Sequence, residues 1–239
     1  KWKRGRKVPL CLATLLFAFL TVVFGVLAVN VLFKNKLKEL FSDHKFFIFF
    51  FLLMGYALFA MGELTWYLTL QVFEETPGVG MPDFYWVTGA LFMLVSFAAL
   101  SRQLHKEYGE TRKLVPWLIV SSLLIAGVLL YNSVADYTFL GYLYPLLTSL
   151  ILIFSANLLL YYRNLDSFEI HLLYLFFANI GFLGGDLLFS YWGASSTLGA
   201  LSNIFYIFAY GLSAFSFMTL MFKLHHHSWL RKASIKYYD

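Results

Sequence analysis

Seven uninterrupted apolar runs divide this chain, at about 8–33, 46–70, 84–101, 114–131, 139–162, 170–191 and 203–222. A run of about 18 or more apolar residues is long enough to cross the hydrocarbon of a bilayer as a helix. Only a structure that satisfies its own backbone hydrogen bonds survives there. The expected fold is therefore all-α: a single multi-pass transmembrane domain over residues 1–239, built of seven helices joined by short connections. Composition agrees, since 60% of the 239 residues are hydrophobic and 13% are charged, against about 25% charged in soluble domains. A soluble core of this size has no room for 27 Phe and 16 Tyr.

The charge distribution sets an expected orientation. Lys and Arg number four in 34–45, four in 102–113, one in 163–169 and four after 222, and none falls in 71–83, 132–138 or 192–202. The positive-inside rule then puts the charged connections and the C-terminus in the cytoplasm, 13 charges against the five of the N-terminal KWKRGRK. The expected topology is N-out/C-in, in a cell membrane, the cytoplasmic membrane of a prokaryote. The net charge of +5 thus marks anchoring beside anionic lipid, not a nucleic-acid surface.

A stretch from the second and third runs returns, altered, in the sixth and seventh. GELTWYLTLQVFEETPGVGMPDFYW begins with Gly62-Glu63, and GDLLFSYWGASSTLGALSNIFY begins with Gly185-Asp186. Three residues after each acid stands an aromatic, Trp66 or Phe189. A turn follows, then Asp83 or Asn203, then an aromatic pair, Tyr85-Trp86 or Phe205-Tyr206. Four spans separate the copies, so they point the same way, and the repeat, with halves 46–101 and 170–222, is parallel. A three-plus-one-plus-three plan follows.

Glu63 lies about seven residues from the outer end of its run, roughly 10 Å deep at the helical rise. A carboxylate there costs on the order of 2–3 kcal/mol and is retained facing a bundle interior or a wet cavity. One reading is an outward-facing cup floored by Glu63 and Asp186. Trp66, Tyr85, Trp86, Phe189, Tyr191 and Tyr206 would ring it, and Asp83 and Asn203 would stand at its rim. The other is structural: Asp83 and Asn203 cap helix starts, and Glu63 and Asp186 bond those helix ends or their own loops. Asn157 and Asn179 read as interhelical glue, and His171 and His225–His227 as interfacial groups.

No HExxH, GxSxG or phosphate loop is present. His225, His226 and His227 invite a metal reading, but beside Trp229, Arg231 and Lys232 they read as an interfacial segment. Leu183 breaks the G-x-G-D pattern of intramembrane aspartyl proteases, and the absence of Lys in 203–222 excludes a retinal Schiff base in the seventh span. The single cysteine, Cys11, is inside an apolar run. No catalytic residue, metal or cofactor is expected, and the chain reads as a non-enzyme.

The same stretch resembles the signature G-[DE]-x-x-W-x-Y-Y-E-x-x-x-G-x-x-P-x-P-S-x-A-D-x-F-Y. That signature belongs to the seven- or eight-helix membrane input region of bacterial and archaeal diguanylate cyclases and histidine kinases. Gly62, Glu63, Trp66, Pro77, Asp83 and Tyr85 occupy its positions. Asp186, Tyr206 and Tyr210 are similar to its closing A-D-L-x-Y…L-D-L-x-W-x-x-G-Y unit. The likeness covers spans two, three, six and seven; elsewhere it is one of hydropathy. Leu68, Thr69 and Leu70 replace the family's Y-Y-E, so that glutamate's role is lost. The resemblance implies a sensor of a small or lipid-like ligand. No kinase, cyclase or PAS module follows in the 17 residues after the seventh run, which implies signalling through a separate protein partner or a homo-oligomer. Two other functions fit the sequence: an accessory subunit of a membrane complex, and a small transporter or channel with Glu63 and Asp186 on its path. The inner halves of spans two and six carry almost no polar residues, which favours the sensor.

Overall fold

A computed structural model describes residues 8–33, 44–71, 79–108, scattered positions between 117 and 128, 139–159, 169–192 and 197–235. The tail 1–7 and most of the connections, including Pro77, lie outside the described residues. The helices are α1 (Val8–Phe33), α2 (His44–Gln71), α3 (Met81–Tyr108), α4 (Phe139–Leu159), α5 (Glu169–Trp192) and α6 (Thr197–Ile235). All six are long and apolar enough to cross a membrane, and no strand occurs among the described residues. The molecule is a multi-pass helical membrane protein.

The first helix is sorted inside out relative to a soluble one. On α1, Leu12, Leu16, Phe19, Val23 and Val26 are exposed, whereas Cys11, Thr14, Ala18, Thr21 and Ala28 are buried. The large apolar face suits lipid tails. The small and polar face lets neighbours approach closely and places hydroxyls where they find partners. Thr21 Oγ1, for example, donates to the Tyr210 carbonyl at 2.9 Å.

The helices form a closed ring in which α1 packs on α2, α2 on α3, α3 on α4, α4 on α5, α5 on α6, and α6 back on α1. Paired contacts give the directions. Thr14 meets Asn203 and Thr21 meets Tyr210, so α1 and α6 run the same way. Tyr144 bonds Asp83 and Asn157 bonds Ser101, so α3 and α4 also run the same way. Phe59 packs on Phe182 and Trp66 on Phe189, so α2 and α5 run parallel across the ring. Two consecutive helices that run alike, α3 and α4, need a return segment between them. The described residues from Trp117 to Val128 are helical, and Val128 packs with Leu152 of α4 and Leu183 of α5.

Helix ends run past the apolar runs because backbone hydrogen bonding, not hydropathy, terminates a helix. The third span, expected over 84–101, extends to Tyr108 with His105 and Lys106 in its last turn, where cations suit the helix dipole. At its start Gly80 precedes the first turn, Pro82 lies within that turn, and Asp83 Oδ2 accepts the Gly80 N–H at 2.8 Å. The seventh span, expected to open at 203, begins instead at Thr197 and continues to Ile235. His225–His227 are on this helix, with their side chains outside the description. Asn203 is therefore inside a helix and not its cap. Its side chain bonds Thr14 and the Ala200 carbonyl.

The closest crossing is between α2 and α3. A β-carbon on Gly55 would stand 2.9 Å from the Gly89 carbonyl oxygen, and one on Gly89 would stand 2.8 Å from the Gly55 oxygen. Neither neighbour is a movable side-chain end, so the helices must separate to admit a methyl. Gly89→Ala should lower stability by about 1–3 kcal/mol, the cost of overpacking. Thermal unfolding in nanodiscs measures it, and an unchanged midpoint would show that the crossing is looser than described.

Candidate functional site

The helix directions bring the N-terminal halves of α1, α3, α4 and α6 to one end of the ring, with the C-terminal halves of α2 and α5. A cavity of about 90 Å3 opens there, and all six helices line it. Its polar groups are Glu63 of α2, Asp186 and Ser190 of α5, Tyr144 and Thr148 of α4, and Ser202, Asn203, Tyr206 and Tyr210 of α6. Its walls are Phe59, Trp66, Leu70, Trp86, Ala90, Phe182 and Phe189, with Cys11 of α1.

Each acid is held by a phenol. Tyr210 donates to Glu63 Oε1 at 3.2 Å, and the Trp86 indole N–H supplies a second donor. Tyr206 donates to Asp186 Oδ1 at 2.8 Å, with the Thr148 hydroxyl beside the same carboxylate. The glycine preceding each acid makes room for its partner. A β-carbon on Gly62 would collide with the Trp86 indole, and one on Gly185 with the Tyr206 ring. Glu63 is buried and Asp186 half-buried. Among the described residues no Lys, Arg or His lines the cavity, and the donors that reach the carboxylates are neutral. Burying a charge without a counter-ion is costly unless hydrogen bonds replace water.

Above the acids the walls are aromatic. Trp66 packs on Trp86 with ring centroids 5.6 Å apart and on Phe189 at 5.8 Å. Trp86 also meets the Tyr144 ring edge-on at 6.3 Å. Tyr144 in turn donates to Asp83 Oδ1 at 2.6 Å.

Of the residues singled out from the sequence, the structure brings Glu63, Trp66, Trp86, Asp186, Phe189, Asn203 and Tyr206 to this cavity. Asp83 and Tyr85 do not line it. Asp83 is taken up by the Gly80 N–H and the Tyr144 hydroxyl, which places it one residue behind the wall. Tyr85 packs edge-on against exposed Phe84. Tyr191 is also outside, exposed and packed on Trp192. Tyr210, Tyr144, Thr148 and Phe182 were not anticipated as lining residues. For Tyr210 a signal existed: it follows Tyr206 by four residues, one helical turn along the same face.

A second polar feature continues from the cavity along α6. Tyr206, Tyr210, Ser213, Ser216 and Thr219 recur every three or four residues on one face. Ser213 shares a 2.8 Å bond with the buried Tyr56 hydroxyl. Ser216 donates to the His171 carbonyl at 3.0 Å, and Thr219 meets His171 Nδ1 at 3.1 Å. The inner halves of α2 and α5, expected to carry almost no polar residues, contribute the buried Tyr56 and His171 to this seam. Nearby in sequence, Asn179 is buried with neither side-chain polar atom bonded. Asn157 does act as interhelical glue, donating to Ser101.

Comparisons with known protein families, with curated proteins and with solved structures find no match to this chain.

Removing the Tyr210 hydroxyl leaves a buried carboxylate oxygen short of a donor. Tyr210→Phe should cost about 1–3 kcal/mol of stability, and Tyr206→Phe should cost a similar amount through Asp186. Tyr85→Phe, outside the cavity, should stay within about 0.5 kcal/mol of wild type. Denaturant titration of the three variants in the same detergent compares them directly. Equal losses at all three positions would remove the distinction between cavity and exterior.

Proposed function

We propose that this protein is a non-enzymatic, sensor-type membrane protein that binds a small or lipid-like ligand in the acid-floored cavity. The observation that carries the reading is the shared cavity. An occupant would touch the α2–α3 hairpin and the α5–α6 hairpin at once, so binding would bias how the two pack. A ligand shifts a conformational equilibrium only through such differential contacts. On this reading the described helical residues between Trp117 and Val128 belong to a seventh crossing, a count supported by the parallel packing of α1 against α6. The plan is three-plus-one-plus-three. It is supported by the matching placement of Gly62-Glu63-Trp66 and Gly185-Asp186-Phe189. The positive-inside rule makes the cavity face outward in a prokaryotic cytoplasmic membrane, with the signal passed to a separate partner or a second copy.

A second reading, conduction of a proton or small ion, is favoured by the hydroxyl seam along α6, which connects the acids toward His171. It requires flux across proteoliposomes that Glu63→Gln abolishes.

Cys11 tests the first reading without any substitution, because it is the chain's only cysteine and lines the cavity. A small membrane-impermeant thiol reagent added outside intact cells should label it, and occupancy of the cavity should slow the labelling. Labelling from the cytoplasmic side alone would reverse the orientation. No labelling from either side of the folded protein would contradict an accessible cavity.

A further inference from the structure

We infer that the cavity is a site for a small organic ammonium ion, held by Glu63 and Asp186 and enclosed by the rings of Trp66, Trp86 and Phe189. This rests on the ligand-binding reading above and names the chemistry of the ligand. Three separate features converge. The first is charge: two carboxylates from opposite sides of the ring line one cavity, and no basic side chain among the described residues lines it with them. Phenols and an indole already donate to both acids, so the field inside is one that an anion would meet unfavourably and a cation favourably.

The second is the wall. The indoles of Trp66 and Trp86 and the Phe189 ring form a contiguous aromatic cluster. Ring faces attract cations, Trp most strongly, and clusters of this kind are how proteins hold alkylated ammonium groups. The third is what the walls lack. A hydrated divalent ion wants six to eight oxygen ligands. No group of three or more acidic, His or Cys side chains able to hold a metal occurs among the described residues, and rings cannot replace water around a hard ion. An ammonium carrying methyl or methylene groups uses both surfaces, its charge toward the acids and its carbons toward the rings. The volume of about 90 Å3 is below the roughly 150 Å3 of a dry cavity that holds one benzene. The cavity thus takes a methylated ammonium head group and leaves any longer arm, such as the hydroxyethyl arm of choline, toward the mouth.

The test is calorimetric titration of the full chain in nanodiscs with tetramethylammonium, choline and 3,3-dimethylbutan-1-ol, the uncharged carbon isostere of choline. The two ammonium ions should bind at least about tenfold more tightly than the alcohol, and each should slow labelling of Cys11. Glu63→Gln and Asp186→Asn should each weaken ammonium binding by about tenfold or more. Phe189→Leu keeps apolar volume and removes the ring face. It should weaken ammonium binding several-fold and leave the alcohol unchanged, which separates a lost ring from a lost fold. Equal binding of alcohol and choline would overturn the ammonium assignment while leaving a ligand-binding cavity. Displacement of tetramethylammonium by equimolar sodium or potassium would overturn it in favour of a bare cation site. Failure of all three compounds to bind, with Cys11 unprotected, would remove both readings together.

Discussion

Two carboxylates at bilayer depth constrain this fold more than any other feature. Glu63 and Asp186 have no basic neighbour in the cavity among the described residues, and a carboxylate facing lipid is costly, so the chain surrounds them with neutral donors. It does so twice with the same local device. A glycine one residue before the acid lets a partner helix come close, and an aromatic from that helix fills the gap. Gly62 admits Trp86, whose N–H reaches Glu63, and Gly185 admits Tyr206, whose hydroxyl reaches Asp186. Packing and hydrogen bonding are thereby coupled, because the close approach is also the route by which each acid gains its donor.

The ring follows from how few residues can stabilise helices inside a membrane. Lipid tails are as apolar as Leu, so no hydrophobic effect draws the helices together. Packing of large side chains such as Tyr56, Phe59, Phe97 and Phe182 and bonds between inward-facing hydroxyls and polar partners hold the helices together. Closure of α1 onto α6 uses Thr14 and Thr21, and the α3–α4 contact uses Tyr144 and Asp83. In both junctions a polar residue of a neighbouring helix meets the Asp83 or Asn203 position of a hairpin. Asp83 thus supports the helix start and the cavity wall together, through the Tyr144 ring packed on Trp86.

The apolar runs and the paired Gly-acid motifs were legible in the sequence because each depends on local composition or on spacing along one helix. The acid-to-aromatic step from Glu63 to Trp66 and from Asp186 to Phe189 places both residues on one helical face, and both pairs reach the cavity. What was not legible depends on partners far along the chain. Nothing near Asp83 announces Tyr144, 61 residues away, and nothing near Asn203 announces Thr14. The hydroxyl seam of α6 was hidden for another reason. Single Ser and Thr residues scarcely lower the hydropathy of a run rich in Phe and Leu, so a helix with one polar edge reads as uniformly apolar. The start of α6 was misplaced to 203 because the apolar run begins there, whereas the backbone is already helical from Thr197.

Helices α2 and α5 run alike on facing sides of one cavity, with their acids at the same level. Trp66 and Phe189, each one turn beyond its acid, touch across that cavity with ring centroids 5.8 Å apart. In a Cys11→Ser background, Trp66→Cys with Phe189→Cys should cross-link with a short bifunctional thiol reagent that spans the gap the two rings fill. A paired control, Leu68→Cys with Phe189→Cys, puts one thiol on the exposed face of α2 and should not. Cross-linking in the control alone, or in neither protein, would mean that the two acids do not share a cavity.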